Sequence, residues 1–196
     1  LTQDGHRFPT SARKVISAGA EAALIDRGQT EALSGDLTLG VTSLVAGYYL
    51  ADLFARFQKS HPSVKITVIE DQPQFLEHLL VNGELDIAIM ISNALGDPRA
   101  LEVEVLTSAK NRVWLSANHP LAGQQQLTLA ECATHPHIVL EADRIDAVMR
   151  TVWGRYGLVP DITMRTTSLE AVRSLVGVGA GIAVLPDFLY RPWTLD

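Results

Sequence analysis

The sequence predicts an α/β fold in which parallel strands alternate with helices, arranged as two subdomains behind a long helix. Between residues 37 and 91, three apolar strand-like segments are separated by two amphipathic runs. This alternation is typical of an open parallel sheet with helices on both faces. Further strand-like and helical segments follow between residues 128 and 185, which indicates a second subdomain. Residues 9–33 place apolar side chains at spacings of three and four, which predicts a long helix.

Composition is consistent with a globular protein. Of the 196 residues, 47% are hydrophobic and 19% are charged, so the chain can bury a core. A net charge of -6 argues against this chain binding the phosphate backbone of a nucleic acid by itself. No apolar run is long enough to cross a bilayer, and no signal peptide opens the sequence. A single cysteine, Cys132, excludes an internal disulfide and is expected to be buried. We expect a cytoplasmic protein without membrane contact.

The first subdomain is predicted from residue 35 onward. Strands are expected at 37–41, 64–69 and 85–91. The last is almost continuously apolar, which is typical of the buried centre of a parallel sheet. A helix over 48–60 carries apolar side chains on one face and ends at His61-Pro62, since a residue before proline disfavours helix. A second helix, marked by Phe75 and Leu76, ends near Gly83.

The second subdomain follows a crossing segment. Strands are predicted at 103–106 and 112–116 around a polar turn, and later at 137–140, 162–166 and 182–185. A short helix begins at Thr128, where Glu131 completes a capping box. Thr167 and Glu170 suggest a second capping box for a helix over 169–178, and another helix is expected over 144–156.

A strand that runs directly into a polar loop and then a helix occurs twice. Thr42 and Ser43 occupy the first of these loops, and Thr167 and Ser168 the second. Hydroxyl groups and free backbone N–H groups at the start of a helix suit a small anion. The same residue types are also favoured as plain helix caps. The sequence leaves both roles open.

Several motifs, in order, resemble the LysR-type transcriptional regulators. The opening Leu1-Thr2-Gln3-Asp4-Gly5-His6-Arg7-Phe8 is similar to the end of that family's winged helix-turn-helix domain. Four further segments resemble its effector-binding domain: Gly35-Asp36-Leu37-Thr38-Leu39-Gly40, Phe54-Ala55-Arg56-Phe57 with His61-Pro62, Gly83-Glu84-Leu85-Asp86-Ile87-Ala88-Ile89, and His119-Pro120-Leu121-Ala122. The segment Val178-Gly179-Ala180-Gly181-Ile182-Ala183-Val184-Leu185-Pro186 also matches.

This resemblance implies a fold similar to periplasmic binding proteins, with an effector between two α/β subdomains. It divides the chain into the tail of the winged helix-turn-helix domain (1–8), a linker and dimerisation helix (9–34), subdomain I (35–111) and subdomain II (112–196). The implied function is ligand-responsive transcription regulation. The implied partners are operator DNA, bound through an N-terminal domain missing from this sequence, and a small organic or inorganic anion as effector, with no other cofactor. The linker helix and effector domain would form homodimers or homotetramers.

Candidate effector-binding residues lie at the carboxyl ends of predicted strands, where open α/β sheets bind ligands. In order along the chain they are Thr42, Ser43, Leu44, Gln72, Met90, Ser92, Leu140, Ala142, Thr167 and Ser168. Three nearby carboxylates are ambiguous: Asp71, Glu141 and Asp143 could repel an anion, face solvent, or contact a cationic group.

Other functional classes are less well supported. The glycine-rich segment 177–181 follows a helix and precedes a strand, the reverse of a dinucleotide-binding loop. Of the six histidines, His135 and His137 are two apart, which in a strand puts them on one face, but we do not expect a metal site there. No nucleophile and base are placed together, so we do not expect an enzyme. The remaining alternative is a stand-alone or periplasmic-type protein that binds a small solute.

Overall fold

The computed structural model describes residues 33–91, 95–96 and 100–190. The predicted tail (1–8) and all but the last two residues of the predicted linker helix (9–34) lie outside the described residues. Ser92 of the predicted effector site also lies outside them.

Subdomain I is built on a parallel sheet. Its elements are β1 (Gly35–Val41), α1 (Ser43–Tyr48), α2 (Leu50–Ser60), β2 (Val64–Glu70), α3 (Pro73–Asn82) and β3 (Ile87–Ile89). The strands lie in the order β2-β1-β3. Val41 pairs with both Glu70 and Ile89, so the carboxyl ends of all three strands meet at one edge of the sheet.

Among the described residues the central strand of this sheet is β1, which corrects the expectation that residues 85–91 form its centre. Leu39 and Val41 of β1 are 6% and 0% exposed, whereas Ile87 of β3 is 48% exposed. Apolar composition alone cannot distinguish a central strand from an edge strand, because that depends on which neighbours cover it. The helix predicted over 48–60 begins earlier than expected, at Ser43, and is interrupted at Tyr49.

Subdomain II contains shorter pieces of sheet. Its elements are β4 (Asn111–Trp114), α4 (Leu129–Ala133), β5 (Pro136–Leu140), a 3-10 turn (Ala142–Arg144), α5 (Ile145–Arg155), β6 (Asp161–Thr166), α6 (Leu169–Gly177), β7 (Ala183–Pro186) and a 3-10 turn (Asp187–Leu189). β5 and β6 are parallel, and β4 and β7 are antiparallel. Ile182 exchanges backbone hydrogen bonds with the β5 segment, donating to Pro136 and accepting from Ile138, and so joins the two pairs.

Two local predictions for this region need correction. Residues 103–106 form no strand; Val103, Val105 and Leu106 are 45%, 67% and 56% exposed. A strand needs a partner for its backbone groups as well as suitable side chains, and no described residue pairs with this segment. The cap of α6 is Ser168, which accepts from Ala171 N–H, rather than Thr167. The capping box at Thr128 and Glu131 is confirmed.

The largest apolar cluster lies in subdomain II but includes a residue of subdomain I. Leu44 on α1 is 4% exposed and belongs to the same cluster as Trp114, Leu140 and Leu185. Cys132 is 1% exposed within this cluster, as expected. The start of α1 therefore packs against subdomain II. No described helix has the length and apolar character needed to cross a membrane.

Candidate functional site

The predicted residues of subdomain I meet at the carboxyl edge of its sheet. Thr42, Ser43 and Leu44 follow β1 directly, and Met90 follows β3. The backbone N–H of Asp71 donates to the carbonyl of Val41 at 3.2 Å. This bond holds the loop after β2, with Gln72 at its tip, beside the end of β1.

The predicted residues of subdomain II meet at an equivalent edge. Leu140 and Thr166 are paired at the ends of β5 and β6, and Glu141 N–H donates to the carbonyl of Thr166 at 2.8 Å. Ala142 therefore follows one strand while Thr167 and Ser168 follow its neighbour. Thr167 and Ser168 are exposed, whereas the side chain of Leu140 is 1% exposed and lies in the apolar cluster.

Asp143 joins the two edges. Its carboxylate accepts a hydrogen bond from the hydroxyl of Ser43 at 3.1 Å and another from the backbone N–H of Leu44 at 3.0 Å. Asp143 is 7% exposed, which excludes the alternative that it faces solvent. The sequence marked it as an ambiguous carboxylate after a strand but did not place it in the site. Its contact with Ser43 could not be found by sequence reasoning, since it depends on how the subdomains dock.

The hydroxyl of Thr42 is the second notable feature of this edge. Thr42 is 0% exposed and precedes α1, yet its side chain makes no capping bond. Its Oγ1 has no hydrogen-bond partner among the described residues. Buried hydroxyl groups are normally paired, because an unpaired one loses its bonds to water. Thr42 is therefore not a plain cap, in contrast to Ser168.

Two further polar contacts lie near these edges, one between the subdomains and one within subdomain II. The hydroxyl of Tyr48 on α1 donates to the carboxylate of Glu170 on α6 at 3.3 Å, which links the subdomains a second time. Glu141 accepts from Arg165 at 3.2 Å. Glu141 therefore has a cationic partner within subdomain II.

The histidines and the cysteine of subdomain II form a separate group. His137 is 3% exposed, and its Nε2 lies 3.0 Å from the carbonyl of Cys132. Burial lowers the pKa of His137 and raises the pKa of the Cys132 thiol. The rings of His119 and His135 are in contact, with centroids 4.6 Å apart. In the part of the chain that the structure describes, no three metal-ligating side chains are grouped to hold an ion.

The fold and the two facing edges define a two-subdomain ligand-binding domain. Residues 30–196 match the LysR substrate binding domain family, and the chain belongs to that family. The uncharacterized HTH-type transcriptional regulator YnfL of Escherichia coli K12 is 28% identical over 97% of this chain and 65% of its own length. The HTH-type transcriptional regulator cbl of the same organism is 26% identical over 95% of this chain and 59% of its own length.

Solved structures agree with this assignment. HinK, a LysR family transcriptional regulator from Pseudomonas aeruginosa, superposes with a TM-score of 0.74 at 27% identity, covering 99% of this chain and 64% of HinK. This chain spans somewhat less than two thirds of the length of these three relatives.

Proposed function

We propose that this chain is the effector-binding part of a ligand-responsive transcriptional regulator of the LysR type. It senses a small anion between its subdomains and relays that signal to a DNA-binding domain of the same polypeptide, in the cytoplasm. The family match and the regulatory function of the named relatives support this proposal. They favour it over the alternative of a stand-alone solute-binding protein, and they give no reason to expect an enzyme.

We expect the effector to be an anion because the carboxylate of Asp143, itself an anion, is bound at this edge. Ser43 and the backbone of Leu44 hold this carboxylate through two hydrogen bonds of ordinary length. A hydroxyl and a backbone N–H pointing at one carboxylate are suited to any small oxyanion of similar size. The buried, unpartnered hydroxyl of Thr42 offers a further polar group one residue away.

The effector site proposed here comprises both edges. Subdomain I contributes Thr42, Ser43, Leu44, Gln72, Met90 and Ser92, and subdomain II contributes Leu140, Ala142, Thr167 and Ser168. Leu140 would contribute through its backbone, because its side chain is buried in the core. A ligand between these edges would contact both subdomains and favour one relative orientation. It regulates only if it binds the two orientations with different affinity.

The test of this proposal is a ligand screen on the chain. Small carboxylates, sulfate, phosphate, amino acids and neutral sugars are compared by thermal shift, because a ligand that binds the folded state raises the melting temperature. We expect an anion to be the hit, and Ser43→Ala to abolish its effect in a protein that circular dichroism shows to be folded. Ser174→Ala is the matched control, since Ser174 is exposed and lies farther along α6.

Two outcomes would contradict the proposal. A hit that binds equally well to Ser43→Ala would place the effector elsewhere. A confirmed effector that leaves operator affinity unchanged, measured with a polypeptide that includes the DNA-binding domain, would contradict the regulatory function. Homodimer or homotetramer formation is part of the same proposal and is measured by light scattering on that longer polypeptide.

A further inference from the structure

The turn that carries Asp143 has an unusual backbone. Asp143 and Arg144 have φ values of 50° and 58°, the left-handed region that side-chain-bearing residues seldom adopt. They connect the end of β5 to α5. This geometry places the Asp143 carboxylate against subdomain I. A carboxylate that is 7% exposed needs hydrogen-bond donors to replace water.

The donors come from the proposed effector site. One carboxylate oxygen accepts from the Ser43 hydroxyl and the other from Leu44 N–H, so both oxygens are bonded to subdomain I. Each of these donors has a single hydrogen. An effector anion bound at this position would need the same two hydrogens. The effector and Asp143 therefore exclude each other at these groups.

We propose that Asp143 is an internal competitor of the effector: its carboxylate occupies the oxyanion position of the cleft, and an anionic effector binds by displacing it. This inference rests on the proposed function, because it assigns regulation to the same site. Displacement would release the turn at Ala142–Arg144 from Ser43 and Leu44, which are part of the contact between the subdomains. Binding of the ligand would therefore change the contact between the subdomains directly.

The hydroxyl of Thr42 supports this exchange. It is fully buried, directly precedes Ser43 in the chain and lacks a partner among the described residues, so a polar group next to the Asp143 position is left unpaired. An effector oxyanion that replaces Asp143 has a third group available to it. A tethered carboxylate acts as a competitor at high effective concentration. Effector affinity is therefore reduced by the fraction of molecules in which Asp143 occupies the position.

The experiment removes the competitor and supplies a free carboxylate. Asp143→Gly deletes the side chain and tolerates the positive φ. Sodium formate is the probe, with sodium chloride at equal ionic strength as the reference. We expect formate to raise the melting temperature of Asp143→Gly and to bind it at least about tenfold more tightly than the original protein. Glu141→Ala is the matched control, because it removes an exposed carboxylate two residues away and should not create formate binding.

Hydrogen exchange at single amides tests whether formate binds at the position that the Asp143 carboxylate occupied. The amide of Leu44 donates to Asp143, so its hydrogen exchange should become faster in Asp143→Gly and slow again with formate. Ser43→Ala combined with Asp143→Gly should lose the formate effect. If the glycine variant does not fold, Asp143→Asn removes the charge but keeps one amide oxygen that can accept from Ser43 or Leu44, so we expect formate to bind it more tightly than the original protein but less tightly than the glycine variant.

The outcomes separate this inference from the proposed function. Equal formate binding by the original protein and both Asp143 variants would overturn the competitor role. An effector that requires Ser43 but binds less tightly without Asp143 would also overturn it, making Asp143 a ligand contact while the proposed function stands. Formate rescue at Leu44 together with a failed effector screen would support the internal carboxylate and count against the proposed function.

Discussion

The carboxylate of Asp143 accepts a hydrogen bond from the backbone N–H of Leu44 at 3.0 Å, although the two residues are 99 positions apart. Leu44 also packs its side chain into the apolar cluster of subdomain II. One residue of α1 thus contacts the other subdomain through its backbone and through its side chain. The first contact is polar and is the one that we propose an effector displaces, whereas the second is apolar and contributes to stability.

The apolar contact predicts a large loss of stability for Leu44→Ala. Leu44 is 4% exposed, and removing a buried leucine side chain leaves a cavity that costs about 2–5 kcal/mol. Urea denaturation measures the free energy of unfolding. Val81→Ala is the control, because Val81 is 58% exposed and should change stability by less than about 0.5 kcal/mol. Similar values for the two variants would show that α1 does not pack as described.

Gly181 permits a close backbone approach between β5 and the segment before β7. A Cβ at this position would lie 2.8 Å from the carbonyl oxygen of Pro136. That oxygen accepts from Ile182 N–H at 2.8 Å, so the strands cannot separate without losing this bond. We expect Gly181→Ala to destabilise the protein by about 1–3 kcal/mol in urea denaturation.

The control for this prediction is Gly177→Ala at the end of α6. Apart from its chain neighbours and the backbone of its own helix, no described atom lies within 4 Å of a Cβ built there. Because alanine has less conformational freedom in the unfolded chain, Gly177→Ala should be neutral or stabilising by up to about 1 kcal/mol. Equal destabilisation by both changes would contradict the close approach at Gly181.

The cap of α6 distinguishes two adjacent hydroxyl residues. Ser168 Oγ accepts from Ala171 N–H at 3.2 Å, so Ser168→Ala should cost about 1 kcal/mol of stability. Thr167→Ala is expected to change stability by less than about 0.5 kcal/mol, since Thr167 is exposed and does not cap the helix. Thermal denaturation of both variants without ligand measures the two losses of stability. A larger loss for Thr167→Ala than for Ser168→Ala would show that Thr167 caps the helix.

Burial of His137 predicts a dependence of stability on pH. Burial is the main cause that lowers the pKa of His137 below the usual value of about 6.5, so on acidification the unfolded chain takes up a proton before the folded chain does. This contribution to stability is present above the unfolded pKa and is lost as pH falls toward the folded pKa. We expect a lower urea midpoint at pH 5.5 than at pH 7.5, and a smaller difference in His137→Gln.

His119 is the necessary comparison, because burial and the neighbouring His135 also lower its pKa. His119→Gln should remove a separate part of the same pH dependence. If neither variant reduces the difference between the two pH values, the titration of these histidines does not limit stability.

Local order in this chain was determined by the sequence. The apolar spacing of α3, its left-handed cap at Gly83 and the capping box at Thr128 and Glu131 depend on neighbours within a few positions. The alternation of strands and helices also placed Thr42 and Ser168 after the ends of strands, because a strand's direction follows from the chain. These features need no knowledge of long-range packing.

Tertiary structure decided which of these features meet. Among the described residues, the apolar segment around Ile87 lies at the edge of the sheet because β1 occupies its centre, and residues 103–106 form no strand because no described segment pairs with them. The carboxylate of Asp143 can accept hydrogen bonds from Ser43 and Leu44 only because α1 docks against subdomain II. Such contacts join residues about half the chain apart, and their geometry follows from packing that no local pattern encodes.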